Sequence, residues 1–565
     1  MPTYDTIIRG GTLIDGLMTP RRGADVAIKD GRIVEISRRL RSSDAAEVLD
    51  ASGQIVAPGF VDLHTHYDPY FFFDPWCTLS GWHGVTSVVI GNCGFGFAPA
   101  KPQDQEYLML MLTRNESIDL GVMQEVLPWT WQTFPQWMDT LDAADKGVNV
   151  LTYVPLSPLL IYVMGLEAAK TRDATDEERA EMQRVLREAM DAGACGWSAQ
   201  RATPGSGLDG QRDYDGTPFV TDLMSDKTAL ALAEVLADYD RAVLQTLVSG
   251  VTPEAGARHV EELARASKAS VIYNIIATDT RNPDGHRNAL AWIASAQKRG
   301  LRIYGQCQSS GGAVTFTIAD GWNLWDEQEP WREATLGSLE QKLAKFSDPG
   351  HQAKMKANPP KVFILERLIL LKTYTEKFMK VKGTVLPDAA RMMGYDNVLD
   401  FFFDLVVADE LKTLFQCPLM NDSDALTAEM VTEPFSLWGV SDGGAHQKFL
   451  TTGSFTTDSI IKFVREQELV TLEEAHYRLS SLPASVAGFK NRGQLVEGAP
   501  ADVIVYDYDN LTLLEPEVAH DLPTGDWRRI QKAEGYRYTI VNGDVTFEDG
   551  VCTKATPGRL LRHGQ

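Results

Sequence analysis

Short apolar runs recur through the middle of the chain, separated by stretches in which apolar positions return every three or four residues. The runs lie near 55–64, 85–91, 149–155, 194–199, 242–248, 270–277, 301–307 and 436–441. Each has the length of a strand buried on both faces. Several follow an amphipathic helical stretch, as Asp176 to Ala192 precedes Gly193. This alternation marks βα units, and eight of them predict a (β/α)8 TIM barrel within the α/β class. The interval 310–435 is too long for a loop and is expected to fold as a large helical insertion before the last barrel strand. It holds Trp322, Trp325 and Trp331, then an apolar-rich run through Phe401-Phe402-Phe403.

The two ends follow a different rhythm. Residues 4–55 read as short strands and turns, with a hairpin signal at Asp30-Gly31. Ala501 to Tyr506 and Tyr538 to Val545 repeat the style. This predicts one small β-sandwich domain assembled from 1–55 and 490–565, around a barrel domain at 56–489.

Composition narrows the class. The 565 residues are 44% hydrophobic with a net charge of −23, as in a globular protein with a large core and an acidic surface. A pI near 4.9 argues against a nucleic-acid partner. Six scattered cysteines without a C-x-x-C pair argue against a disulfide framework or a structural zinc knuckle. No signal peptide or long apolar span is visible, so a cytoplasmic protein without membrane contact is expected. A barrel of this size with insertions is also expected to form a homo-oligomer.

The first run ends in Asp62-Leu63-His64-Thr65-His66. With a strand period of two, both imidazoles project to one face, at the C-terminal end where a parallel barrel keeps its chemistry. Two converging neutral imidazoles suit a divalent transition metal. The alternative is a pair that only fills polar space.

Four further segments extend the pattern: Gly84-Val85-Thr86 through Gly91-Asn92-Cys93-Gly94, Ser441-Asp442-Gly443-Gly444-Ala445-His446, Arg492-Gly493-Gln494 through Ala501-Asp502, and Val541-Asn542-Gly543. With the His-x-His run they resemble the amidohydrolase superfamily, and within it the D-aminoacylase (N-acyl-D-amino-acid deacylase) group, over nearly the whole chain. The resemblance implies a barrel carrying a small β-sandwich from both ends. It also implies hydrolysis of a C–N bond that depends on one or two divalent metal ions, zinc by preference.

On that resemblance His64, His66, Cys93 and Asp442 are metal ligands. Asp442 is also the general base that takes a proton from water and returns it to the leaving nitrogen. The plainer readings are a buried small hydrophobe for Cys93 and a helix N-cap for Asp442. Two departures stand out. The group supplies histidines from strands five and six, whereas this chain has Gln245 and Asn274 there, and strand four brings no bridging lysine. A complete second metal site is therefore not visible. His286 could reach in from a loop, although a surface role suits it better.

Substrate contacts are expected from His446, Arg201, Tyr67 and Asn274. The aromatics Tyr67, Tyr70, Phe71, Phe72, Phe73, Trp76, Trp82, Trp129, Trp131 and Trp137 could line an acyl pocket, or pack the insertions or a subunit interface. The leading function is a metal-dependent hydrolase cleaving the amide C–N bond of an N-acyl amino acid or similar amide. Alternatives on the same site are hydrolysis of a lactone, carbamate or cyclic amide, or deamination. A non-catalytic relative is the third reading, and the joint presence of His64, His66 and Asp442 argues against it.

Overall fold

The apolar runs form strands shielded on both faces. The computed structural model describes residues 2–202, 211–249, 252–320, 323–362 and 364–563, so Trp322 lies outside the described residues. The runs become Phe60–Asp62, Val85–Ile90, Asn149–Thr152 with Val154–Pro155, Gly196–Ala202, Val243–Ser249, Ser270–Ile276, Ile303–Gln308 and Ser436–Gly439. Every residue of Val85–Ile90 and Ser436–Gly439 is buried, as parallel strands covered by helices require. The ladders are all parallel and follow chain order. A further parallel bridge from Thr65 to Gly443 brings the end of the last run against the end of the first. The fold is mixed α/β. Its helices follow the expected pattern: Asp176–Asp191 starts at a Thr175–Glu178 capping box and buries Met182, Val185, Leu186, Ala189 and Met190 along one stripe.

The first apolar run divides between two sheets. Ile55–Pro58 pairs with Val503–Tyr506 and with Thr12-Leu13, whereas Phe60–Asp62 pairs with the strand at Val85. The turn falls at Gly59, where an added Cβ would lie 2.2 Å from the Thr86 side chain. The boundary expected after residue 55 thus falls inside a strand. The terminal sheet has nine strands from both ends of the chain and its own core of Ile8, Val26, Ile28, Val503, Val505 and Ile540.

The interval 310–435 differs from expectation. It carries helices, including Glu329–Thr335 and Val398–Ala408, but also a three-stranded antiparallel sheet of Gly312–Phe316, Leu414–Met420 and Ile369–Lys372. The insertion is therefore mixed rather than helical. Leu414–Met420 begins by alternating half-buried and buried positions, a strand period overlooked beside the phenylalanine run. A separate core gathers Trp325, Trp331, Phe346, Phe402, Phe403 and Phe415. Trp331 is fully buried, and its indole donates to the Met355 and Asn358 carbonyls. Trp331→Ala is expected to destabilise the insertion by about 3–5 kcal/mol, measured by denaturant unfolding.

His83 joins distant segments: it is fully buried, with Nδ1 2.8 Å from Thr457 Oγ1 and Nε2 2.9 Å from the Gln531 carbonyl. Burial pushes its imidazole down to about 4. Below about pH 6.5 the unfolded chain takes up a proton that the folded chain refuses, so the His83 contribution to stability is lost as pH falls from about 6.5 towards 4. In His83→Gln the stability curve should be flatter in that window by up to about 1.4 kcal/mol per pH unit. Urea unfolding of both proteins at pH 7 and pH 5 checks this. No helix among the described residues is long and apolar enough to cross a membrane.

Candidate metal centre

Three segments meet at the C-terminal ends of the parallel strands. His64 and His66 follow strand one, Cys93 follows strand two, and Asp442 and His446 follow strand eight. The loops are locked together by backbone and hydroxyl contacts. Ser441 Oγ donates to the His64 carbonyl at 3.0 Å, and the His66 N–H donates to the Gly443 carbonyl at 2.7 Å. Cys93, Asp442 and His446 have φ of +58°, +46° and +51°. Such left-handed conformations cost a side-chain-bearing residue about 1–3 kcal/mol each and collect at functional sites.

His64, His66 and Cys93 present ligand atoms within 4.8 Å of one another, all buried. His64 Nε2 lies 3.3 Å from Cys93 Sγ and 3.2 Å from Asp442 Oδ1, and His66 Nε2 lies 3.9 Å from the same oxygen. His64 Nδ1 donates to Gln306 Oε1 at 3.1 Å, which fixes the tautomer and turns the Nε2 lone pair towards Cys93 and Asp442. His66 Nε2 is buried without a hydrogen-bond partner. A soft thiolate, two neutral imidazoles and a carboxylate fit a zinc-like ion.

Sequence reasoning missed Glu116. It follows the helix Gln105–Asn115, is buried, and points Oε2 to 3.4 Å from His66 Nε2 and 3.3 Å from His446 Nε2. Burial, with Asp442 nearby, raises its carboxyl well above the usual range. Burial likewise raises the Cys93 thiol and lowers His66 and His446, keeping the imidazoles in the neutral, ligating form. A divalent cation reverses the preference of the thiol and carboxyl. Gln306 was missed too, although a polar residue inside the run Ile303-Tyr304-Gly305-Gln306-Cys307 was the available signal.

The amides that replace the two strand histidines sit against this cluster. Gln245 Oε1 accepts from the Cys93 N–H at 3.0 Å, and Asn274 Nδ2 lies 3.4 Å from His64 Nδ1. Asn274 is buried beside the histidine. Tyr67, expected at the substrate, is fully buried, and its hydroxyl pairs with Ser80 at 2.8 Å. Gly443 lies against its ring, where an added Cβ would be 2.6 Å away, and a Cβ on Gly444 would lie 2.6 Å from the His66 carbonyl oxygen. Arg201 is held by Asp226 at 2.9 Å and by the Met224 carbonyl at 2.6 Å. His286 opens the helix Gly285–Lys298 and faces Glu429. The aromatics pack on one another, with ring centroids 4.6 Å apart for Trp131–Trp137 and 5.2 Å for Tyr67–Tyr70.

A cavity of about 260 Å³ opens onto Asp442 and His446. Ile275, Val314, Leu324, Leu419 and Met420 form much of its wall, so the insertion supplies most of the apolar lining. The Asp442 side chain is 17% exposed, against 2% for His64 and His66.

The model of the amidohydrolase family matches residues 47–547, and the chain belongs to that family. Among curated relatives, an N-acyl-D-glutamate deacylase from Alcaligenes xylosoxydans xylosoxydans is 28% identical over 99% of this chain and 96% of its own. A D-aminoacylase from the same organism is 26% identical over 99% of this chain and 97% of its own. The crystal structure of the N-acyl-D-glutamate deacylase from Bordetella bronchiseptica superposes with a TM-score of 0.68 at 25% identity, covering 99% of this chain and 100% of its own. That protein was solved with zinc and a phosphonate inhibitor that mimics its tetrahedral intermediate.

Proposed function

We propose that this chain is a metal-dependent hydrolase that cleaves the amide C–N bond of an N-acyl amino acid or a similar amide. The observation that carries this reading is the position of Asp442, whose Oδ1 lies 3.2 Å from His64 Nε2 while its side chain borders the cavity. His64, His66, Cys93 and Asp442 would hold the ion. When bound, a divalent metal acidifies water and polarises a scissile carbonyl. Asp442 takes a proton from the attacking water and delivers it to the leaving nitrogen, so that the amine departs neutral. The aliphatic wall orients the acyl group and keeps bulk water from that side, and His446 borders the space near the carbonyl.

In this reading the eight parallel strands close as a (β/α)8 barrel, supported by the Thr65–Gly443 bridge, and the ends of the chain form the small β domain beside it. The deacylase relatives support the amide bond over the other bonds that such a site can cleave. A panel of N-acyl amino acids, with a lactone and a carbamate as controls, tests it by release of free amine. Turnover is expected for neutral amino acids with apolar acyl groups. Turnover of the lactone or carbamate alone would overturn the assignment.

A further inference from the structure

The candidate metal centre lies at the C-terminal ends of the parallel strands. At their opposite ends the surface changes sign. A cavity of about 350 Å³ is lined there by Arg32, Lys490, Arg492, Arg559, Arg562 and His563. An adjoining cavity of about 520 Å³ shares Phe489, Asn491 and Arg492 with it and adds Arg241 and Arg302. Among the described residues no aspartate or glutamate lines either one. The chain carries 77 acidic side chains against 54 lysines and arginines, so this gathering of cations runs against its composition. We propose that the first cavity binds a small molecule with two or more anionic groups, phosphate or carboxylate, at a position separate from the hydrolytic site. The inference does not depend on the hydrolytic reading.

The cations around the cavity are not equivalent. Arg492 is neutralised by the buried Asp502, and Arg562 reaches Asp142 at 3.3 Å. His563 Nε2 donates to the Arg241 carbonyl at 2.7 Å, and burial lowers its imidazole, so it supplies a polar wall rather than a charge. Arg32 and Arg559 differ from these: neither pairs with a carboxylate among the described residues. Arg32 Nη1 donates to the Gly498 carbonyl at 2.8 Å, which leaves its other N–H groups for a ligand. The Arg559 guanidinium has no protein partner among the described residues; only its main chain is engaged. Two charged forks without a counter-charge therefore border one concave space.

Both forks stand on fixed backbone. Arg32 opens the strand Arg32–Ser37, and the following N–H, of Ile33, donates to the Ala499 carbonyl at 2.9 Å. The Arg559 N–H donates to Asn149 Oδ1 at 3.2 Å, and its carbonyl accepts from the Val150 N–H at 2.9 Å. These bonds lay residues 558–563 along the strand Asn149–Thr152. Lys490 and Arg492 come from the turn that leads from the helix Leu482–Val486 to the terminal sheet. The cavity thus sits where the sheet, the turn and the C-terminal segment meet, and each part brings a cation. Like charges gathered in this way repel one another, and an oxyanion shared among them relieves the repulsion. A guanidinium held in place pairs two phosphate or carboxylate oxygens at once, and the volume suits a small molecule.

The test is isothermal titration of the zinc-loaded full chain with fructose 1,6-bisphosphate and with tricarballylate, at constant ionic strength. Saturable binding of at least one probe is expected, weaker by about tenfold or more in Arg559→Gln and in Arg32→Gln. Binding of the bisphosphate alone assigns the site to phosphate, and of tricarballylate alone to carboxylate. The bound probe should also raise the unfolding midpoint of the unaltered protein, and not that of the variant carrying both substitutions. Circular dichroism and zinc content matching the unaltered protein show that each variant is folded. No saturable binding of either probe would overturn the site. Binding undiminished in the double variant would overturn it too, by placing the anion elsewhere, and the hydrolytic reading stands in either case.

Discussion

Asp442→Asn is expected to lower kcat by about 10²–10⁴-fold on the preferred amide while zinc stays at the His64–His66–Cys93 position. The amide side chain has nearly the shape of the carboxylate and still reaches the histidine pair, but it cannot accept a proton from water. Proton transfer from the nucleophile and to the leaving nitrogen is removed, while the donors on the other loops are untouched. Steady-state kinetics with metal analysis of the same preparation separate the two effects. Turnover retained in the asparagine variant would remove Asp442 from the general-base role.

His64→Ala should abolish both bound metal at that position and turnover. His64 Nε2 stands 3.3 Å from Cys93 Sγ and 3.2 Å from Asp442 Oδ1, so its loss opens the centre of the donor set. The contrast with Gln306→Leu sharpens the expectation. Gln306 touches only the far nitrogen of His64, at 3.1 Å, and its removal should weaken metal binding by about 10–100-fold without abolishing it. Zinc affinity measured by competition with a chelating dye reads both variants. Equal, complete loss in both would mean that Gln306 supports the fold rather than the ligand.

Much of the architecture was legible because the barrel-like strands are continuous apolar runs and the helices between them carry a clear polar face. The His-x-His pair, Cys93 and Asp442 were legible because each ends or follows such a run, where side chains of a parallel sheet converge. Glu116 was not. It lies past a helix with no strand to place it, and a single glutamate on an acidic chain carries no periodic signal. The hydrogen-bond partners of Tyr67 and Arg201 could not be read either, because Ser80 and Met224 are met only in three dimensions. Gly59 and the strand Leu414–Met420 mark the remaining gap: one apolar run was divided by a steric contact with Thr86, and another was masked by the aromatic stretch before it. The aromatics after strand one pack against the core, and the aliphatic wall of the cavity beside Asp442 comes from the insertion, far along the chain.

The most direct measurement is amine release from the preferred N-acyl amino acid by protein stripped with a chelator and then titrated with zinc. Activity that disappears on stripping and returns as zinc fills the His64–His66–Cys93–Asp442 position is the predicted result. Amide hydrolysis at an unchanged rate in the stripped protein, or none at any zinc occupancy, would contradict a metal-dependent amide hydrolase.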